Sequence, residues 1–564
     1  MPVATLSAAR LRSLLAHPPS DLALDDILFA SKAEVESRDG DDLTLSVTPD
    51  RLDLLSEAGL SLHIAGVTDA ATGIPPIHAV PNPPSRVVEV DPSVDPLRPF
   101  ISAVVVHAPE PSAGLDEGTL AEAIRFQELL HATIGRDRRA ASLGIYPLER
   151  LDFPLRYALE PMSTVRFVPL DGEDEIGAEP FFSTHPMAQR YGPAGRADAR
   201  CLTLRDGKGT VLSLPPVLNG RTAGEARVGD RSLVLESIGT RDRAVQEVVR
   251  LLLVVFAARG WSVAPVAIVR GGVPISDGTE VYRPRPVGLP SEVLRAISGD
   301  ALPSAEVERR LGRARLSARP HAGGWRVDVP PWRPDLLAPV DLAEDVVLTA
   351  GVRPEDGVLL PSRTRGQRLP ETRFRRRIRS LLTGLGYAEP HTPLLVSAET
   401  AERAGSVSAL RLRNPVSAEF SVLRDRLLLS HLDVLGRNTR LAYPQRFAEV
   451  GPVIVRSERA ESGAETRYHA SAIVAADSAG FADAASWVDY LLRSVDVVAV
   501  REPMELPALV PGRSARARIA GEPIAELGEV HPRVLEGLGV PVPVAWAEVD
   551  LTGLWALVKR HDTA

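Results

Sequence analysis

The chain has 564 residues, 44% of them hydrophobic, a net charge of −8 and a single cysteine, Cys201. That length accommodates three or four domains with ordinary cores. One cysteine excludes a disulfide framework and cysteine-based zinc sites and fits a reducing cytoplasm. No apolar run reaches membrane length, no signal peptide is expected at Met1-Pro2-Val3, and the negative balance argues against a chain coated with nucleic acid. Lysine occurs only at 32, 208 and 559, so contacts to phosphate would fall to arginine.

Residues 1–90 read as a small α/β domain with a linker. A helix is expected over Leu6 to Leu15, a strand over Leu43 to Val47, a turn at Pro49-Asp50-Arg51, and a helix over Leu52 to Ile64 with Leu54, Leu55, Leu60 and Ile64 as its apolar stripe. Residues 70–97 are rich in Pro, Gly and small residues and read as linker. Residues 91–272 read as a larger α/β domain. It has a buried strand from Phe100 to His107, a helix from Leu115 to Ile134, and a strand from Ser142 to Tyr146. A short strand from Val211 is stopped by Pro215-Pro216, and an apolar helix runs from Arg243 to Ala258. Residues 273–355 carry helices near Ser291 to Ile297 and Ser304 to Leu311. A hairpin follows, with arms Leu316 to Arg319 and Trp325 to Val329 and Gly323-Gly324 in its turn. Residues 356–564 open on an arginine run (Arg363, Arg365, Arg368, Arg373, Arg375, Arg376, Arg377, Arg379), partly on a helix from Glu371 to Leu382. Antiparallel strands covered by helices follow, an α+β arrangement.

The stretch from Val329 to Val352 holds four carboxylates: Asp335, Asp341, Glu344 and Asp345. The last three stand at i, i+3 and i+4, on one face of an expected helix that Gly351 ends. Two readings stand. A hard divalent cation takes oxygen ligands and suits such a cluster; equally, Asp341 suits an N-cap with Glu344 at the capping-box position. Pro49-Asp50-Arg51-Leu52-Asp53-Leu54-Leu55 echoes Pro331-Trp332-Arg333-Pro334-Asp335-Leu336-Leu337 at Pro, Arg, Asp, Leu and Leu, and Ala-Gly-Val closes the helix after each. Two small domains sharing one fold are expected.

Several motifs, in this order, resemble the beta subunit of phenylalanyl-tRNA synthetase in its archaeal and eukaryotic form. Gln127 to His131, Ile134-Gly135-Arg136, Arg138-Arg139, Gly144-Ile145-Tyr146, Phe167 to Leu170 and Ser213 to Asn219 resemble its editing domain. Arg333 to Gly351 resembles its magnesium segment. Asn414 to Ser417, Ser421 to Arg424, Tyr443 to Gln445, Phe447 to Gly451, Gly512-Arg513 and Gly528 to Pro532 resemble its class II synthetase-like domain. The chain departs from the pattern at Leu52, where proline is usual, and at Leu62, where arginine is. Glu236-Ser237-Ile238-Gly239-Thr240 looks like an eroded Val-Thr-Gly-Thr segment.

The resemblance implies a multidomain α+β and α/β chain with an editing domain in the middle, two small related domains, and a non-catalytic class II synthetase-like domain at the C-terminus. It implies a cytoplasmic α₂β₂ ligase in which a separate alpha subunit binds ATP and charges tRNA(Phe), while this chain hydrolyses tyrosyl-tRNA made in error. It implies Mg²⁺ on Asp335, Asp341, Glu344 and Asp345. Arg139, Ser213 and Asn219 are the expected polar lining of the editing pocket. No residue of this chain is expected to catalyse aminoacylation; Arg424 and Glu449 are expected in a surface or interface ion pair. The arginine run would contact tRNA phosphates or lie as a solvated helix face. A free-standing paralogue that deacylates mischarged tRNA or binds RNA is the alternative.

Overall fold

The computed structural model describes residues 1–110, 114–299, 301–350, 364–406 and 408–561. The chain divides into two compact units, 1–357 and 358–564. Both mix helices with antiparallel sheet. Gly351 and Arg363 lie outside the described residues.

The first unit contains one small fold twice. The first copy runs strand Val3–Ser7, helices Ala8–Ser13 and Asp21–Phe29, strands Ala33–Asp39 and Asp42–Val47, then a short turn of helix, Leu52–Leu55, and helix Glu57–Val67. The second runs strand Arg285–Pro290, helices Ser291–Ser298 and Ser304–Arg313, strands Ser317–His321 and Gly324–Val329, then helix Pro339–Leu348. In each, the last strand is central and pairs antiparallel with the other two. The copies pack closely. A Cβ on Gly66 would sit 2.1 Å from the Arg313 carbonyl oxygen, so only glycine admits that approach. Trp332 of the second copy is buried in the apolar cluster that the first copy shares with the central residues 104–263.

Two sequence expectations fail locally. Leu6 lies in a strand, because Val3 to Leu6 alternates exposed and buried, the two-residue period of a half-buried strand. The Ser7 hydroxyl then accepts the Arg10 N–H and starts the helix only there. Within the expected linker, Val87–Val90 is a strand, parallel to both Ala267–Arg270 and Leu155–Pro161. The prolines on either side masked a short strand that buries only Val88 and Val90.

Between the copies lie two further sheets. One has four antiparallel strands in the order Ser262–Pro265, Phe100–His107, Ser232–Gly239, Ala141–Pro147. Helix Asp242–Ala257 packs on it; eleven of its sixteen residues are buried, which explains its apolar run from Leu251 to Ala257. The other sheet includes Leu155–Pro161, Arg200–Arg205, Val211–Leu214 and Leu218–Asn219.

In the second unit six antiparallel strands run in the order Gln445–Arg456, Ala464–Ala475, Val544–Asp550, Glu522–Val530, Leu509–Ile519, Val500–Pro503. One face buries Phe374, Ile378, Trp487, Leu491 and Leu554 from helices Pro370–Gly384, Phe481–Arg493 and Leu551–His561. The other buries Leu428, Leu432 and Leu535 from helices Leu428–Arg437 and Pro532–Leu538. Among the described residues no helix is long and apolar enough to cross a membrane.

Candidate functional site

A cavity of 430 Å³ opens between the two central sheets of the first unit. Ser213 and Asn219 line it, facing each other across paired strands. Arg139 does not: it is exposed, and its carbonyl accepts the Thr240 hydroxyl. Arg138 lines the cavity instead. The backbone gives the reason. Arg136, Asp137 and Arg138 all have positive φ, at 51°, 55° and 61°, a left-handed turn rare for side-chain-bearing residues. It swings Arg138 inward, where its guanidinium donates to the Pro216 and Val217 carbonyls and to Glu128.

The cavity wall holds three polar residues in series. Tyr146 Oη lies 2.8 Å from Glu236 Oε1 and 3.0 Å from Ser213 Oγ. Strand pairing sets Glu236 opposite Gly144, and Tyr146 is two residues on, on the same face. A Cβ on Gly144 would stand 2.2 Å from Tyr146 Oη and 2.7 Å from Glu236 Oε1, so the pair needs glycine there. Burial pushes the Glu236 carboxyl up to about 8; the Tyr146 hydroxyl and the Arg98 charge pull it down only in part. Near neutral pH it is mostly protonated. Tyr146 Oη bridges the carboxyl and the Ser213 hydroxyl, and Glu236 Oε2 is left with no partner in the protein. The neutral acid is a hydrogen-bond donor in a mostly apolar wall. Sequence reading missed Glu236, taking 236–240 for an eroded motif; a lone acid in the buried run Ser232–Gly239 was the available signal.

At the rim, His131 Nε2 accepts the Leu143 N–H, so its proton sits on Nδ1 and donates to Glu128. Burial disfavours charge on Glu128, but His131 and Arg138 outweigh it and hold its pKa down to about 2. The rim carboxylate is ionised and its arginine is fixed.

The four carboxylates of the acidic segment lie elsewhere in this unit, and the structure does not assemble them into one ligand set. Arg333 Nη2 donates to Asp335 at 2.7 Å and to Asp345 at 2.9 Å. Asp341 is the third residue of its helix, not its N-cap, and reaches back to the Leu337 and Ala338 N–H groups, both at 2.7 Å. Glu344 pairs with Lys32 of the first copy at 2.8 Å. Among the described residues no three His, Cys, Asp or Glu side chains are grouped to hold a metal. Each of the four is engaged by Arg333, Lys32 or backbone N–H groups, and they do not converge on one point.

In the second unit Arg424 and Glu449 form a buried pair at 3.2 Å, not a surface one. Arg424 also donates to Thr392, Ser430 and the Pro452 carbonyl, so its guanidinium holds the interior. The described part of the arginine run is divided. Arg375 lies 3.7 Å over the Tyr468 ring, and Arg377 and Arg379 donate to the Ser494 and Val450 carbonyls. Arg373 and Arg376 are exposed.

Residues 358–551 match the family model of the phenylalanyl tRNA synthetase beta chain CLM domain, and residues 287–352 that of the tRNA synthetase B5 domain. The chain is 30% identical to the phenylalanine–tRNA ligase beta subunit of Korarchaeum cryptofilum, covering 98% of each chain. It is 31% identical to that of Aeropyrum pernix, covering 99% of this chain and 100% of the other. A crystal structure of an N-terminal fragment of the phenylalanyl-tRNA synthetase beta subunit from Pyrococcus horikoshii shares its fold with 62% of this chain at a TM-score of 0.58 and 23% identity, and is itself covered in full, 100%. With relatives of this identity aligned end to end, the chain belongs to the beta-subunit family of phenylalanyl-tRNA synthetase, a family of aminoacyl-tRNA ligase subunits.

Proposed function

We propose that this chain is the editing and scaffolding subunit of a cytoplasmic phenylalanine–tRNA ligase, in which a separate alpha subunit binds ATP and charges tRNA(Phe). The cavity hydrolyses the tyrosyl ester of mischarged tRNA, releasing tyrosine and free tRNA, with water as the nucleophile. One observation carries the reading: the neutral Glu236 donor, backed by Tyr146 and Ser213, in a cavity of 430 Å³. A phenol hydroxyl entering the cavity has this polar series to pair with; phenylalanine has nothing to offer it. A polar site discriminates against a ligand lacking the group it was built for far better than shape does.

The 358–564 unit is read as a class II synthetase-like domain without catalytic residues. Arg424 and Glu449 support that reading, since both are committed to interior bonds. Arg373 and Arg376, exposed on their helix, are the phosphate contacts this unit offers tRNA.

The test is deacylation of Tyr-tRNA(Phe) and Phe-tRNA(Phe) by the complex with the alpha subunit of the same genome. Hydrolysis of the tyrosyl ester should be faster by at least about 10²-fold. Equal rates overturn the editing reading. A chain that deacylates but forms no stable complex with alpha is the free-standing paralogue.

A further inference from the structure

Arg98 is fully buried, and beyond its charge acting on Glu236 its contacts have no role in the account above. All its hydrogen bonds go to neutral oxygens. Nη1 donates to the Arg138 carbonyl at 2.9 Å and the Arg139 carbonyl at 3.4 Å; Nη2 donates to the Ile238 carbonyl at 2.7 Å and Ser142 Oγ at 3.3 Å. Nε has no partner. A buried guanidinium held only by neutral oxygens is a costly arrangement, and burial lowers its pKa to about 10.

The carbonyls it grips belong to the turn that presents Arg138 and to the strand that carries Glu236. Arg138 and Arg139 are in and after the left-handed turn, whose three consecutive positive φ angles are disfavoured and need holding from outside. Ile238 is two residues beyond Glu236 on one strand, so the two face the same side. Ser142 lines the cavity and pairs with Ile238. The fork of one arginine reaches both the turn and the strand; a lysine has the charge but cannot bridge them.

We propose that Arg98 is a positioning residue of the cavity: its guanidinium ties the turn that presents Arg138 to the strand that presents Glu236, and so fixes the slot between them. The proposal rests on the cavity being the hydrolytic site, but its geometry is testable separately.

Arg98→Met removes charge and fork; Arg98→Lys removes the fork alone. In the full chain, amide exchange of residues 136–140 should speed by about tenfold or more in both variants, with Phe100 to His107 still protected. Carbon-13 NMR should show the Glu236 carboxyl titrating higher in Arg98→Met, because a nearby positive charge is gone, and near the wild-type value in Arg98→Lys. With alpha present, KM for Tyr-tRNA(Phe) should rise more than kcat falls. Unchanged exchange at 136–140 with unchanged Glu236 titration in a folded Arg98→Met overturns the proposal. If that variant does not fold, wild-type exchange and KM in Arg98→Lys overturn it. If wild type hydrolyses no Tyr-tRNA while the exchange and titration shifts appear, the editing reading falls and the positioning role stands.

Discussion

Arg51 and Arg333 occupy the same place in the two copies of the small fold. Each grips the aspartate two residues on through Nε and Nη2: Asp53 at 2.9 and 2.9 Å, Asp335 at 2.9 and 2.7 Å. Both are buried, and each lies near enough for its charge or its aspartate to act on the other. The helices that follow correspond as well. Seven residues past the N-caps Ser56 and Ala338 stand His63 and Asp345. The second copy answers the two guanidiniums with a carboxylate; the first answers with an imidazole that burial and both arginines keep neutral.

Arg333 is therefore the cation of the acidic segment. Arg333→Met should cost about 3–5 kcal/mol of unfolding free energy, because Asp335 and Asp345 would be left buried with one arginine to share. Urea unfolding of the full chain measures it. A loss below about 1 kcal/mol would mean that the aspartates are not held by this residue.

His63 gives this seam a pH dependence. Its pKa lies well below the ordinary 6.5 in the folded chain, so below pH 6.5 the unfolded chain binds a proton that the folded chain refuses. Stability from this residue is present above 6.5 and lost as pH falls from there. Between pH 7.5 and 5.5 the thermal midpoint of wild type should drop further than that of His63→Gln. Parallel curves would place the pH sensitivity elsewhere.

The same geometry bears on magnesium. With Asp335 and Asp345 on Arg333, Glu344 on Lys32 and Asp341 on backbone N–H groups, a chelator should leave the thermal midpoint unchanged. Elemental analysis of the purified chain should find no stoichiometric divalent ion. One ion per chain, lost in Asp341→Ala plus Asp345→Ala, would show that the carboxylates rearrange around a metal.

The repeat was legible because it rests on residues that act locally: Arg and Asp two apart, then an apolar helix. The function of its acids was not, since nothing in the segment announces that Lys32, some 300 residues earlier, meets Glu344. Ser213 and Asn219 came from the family resemblance of the Ser213 to Asn219 motif, and both line the cavity. Choosing Arg138 over Arg139 was not legible: adjacent residues differ only in which way a left-handed turn points them, and that turn carries no glycine signal. Glu236 was visible as an oddity but became meaningful only when strand pairing set it against Gly144 and Tyr146.

Gly144→Ala tests that pairing with a single methyl group. The new Cβ would meet both Tyr146 Oη and Glu236 Oε1 inside contact distance, so the hydroxyl and carboxyl must part. Hydrolysis of Tyr-tRNA(Phe) should fall by about tenfold or more, the scale of one lost hydrogen bond, while charging of phenylalanine by the complex stays at the wild-type rate. Undiminished hydrolysis would remove the Tyr146–Glu236 pair from the site.

Glu236 itself predicts a basic limb. The folded carboxyl is protonated up to about pH 8, so the acid's O–H is present at neutral pH and lost as pH rises through that value. After subtraction of spontaneous ester hydrolysis, KM for Tyr-tRNA(Phe) should climb above pH 8, whereas Phe-tRNA(Phe), which has no hydroxyl to pair, should show no such climb. Burial keeps Tyr146 neutral across the same range, so it contributes no competing limb. Glu236→Gln retains an N–H donor that does not titrate; it should keep a preference for the tyrosyl ester and lose the pH dependence. The unfolded chain gives up this proton near pH 4.5, so between 4.5 and 8 the wild-type carboxyl also weakens folding as pH rises, and Glu236→Gln should be the more stable protein at pH 8. A basic limb that survives in Glu236→Gln would assign it to another group.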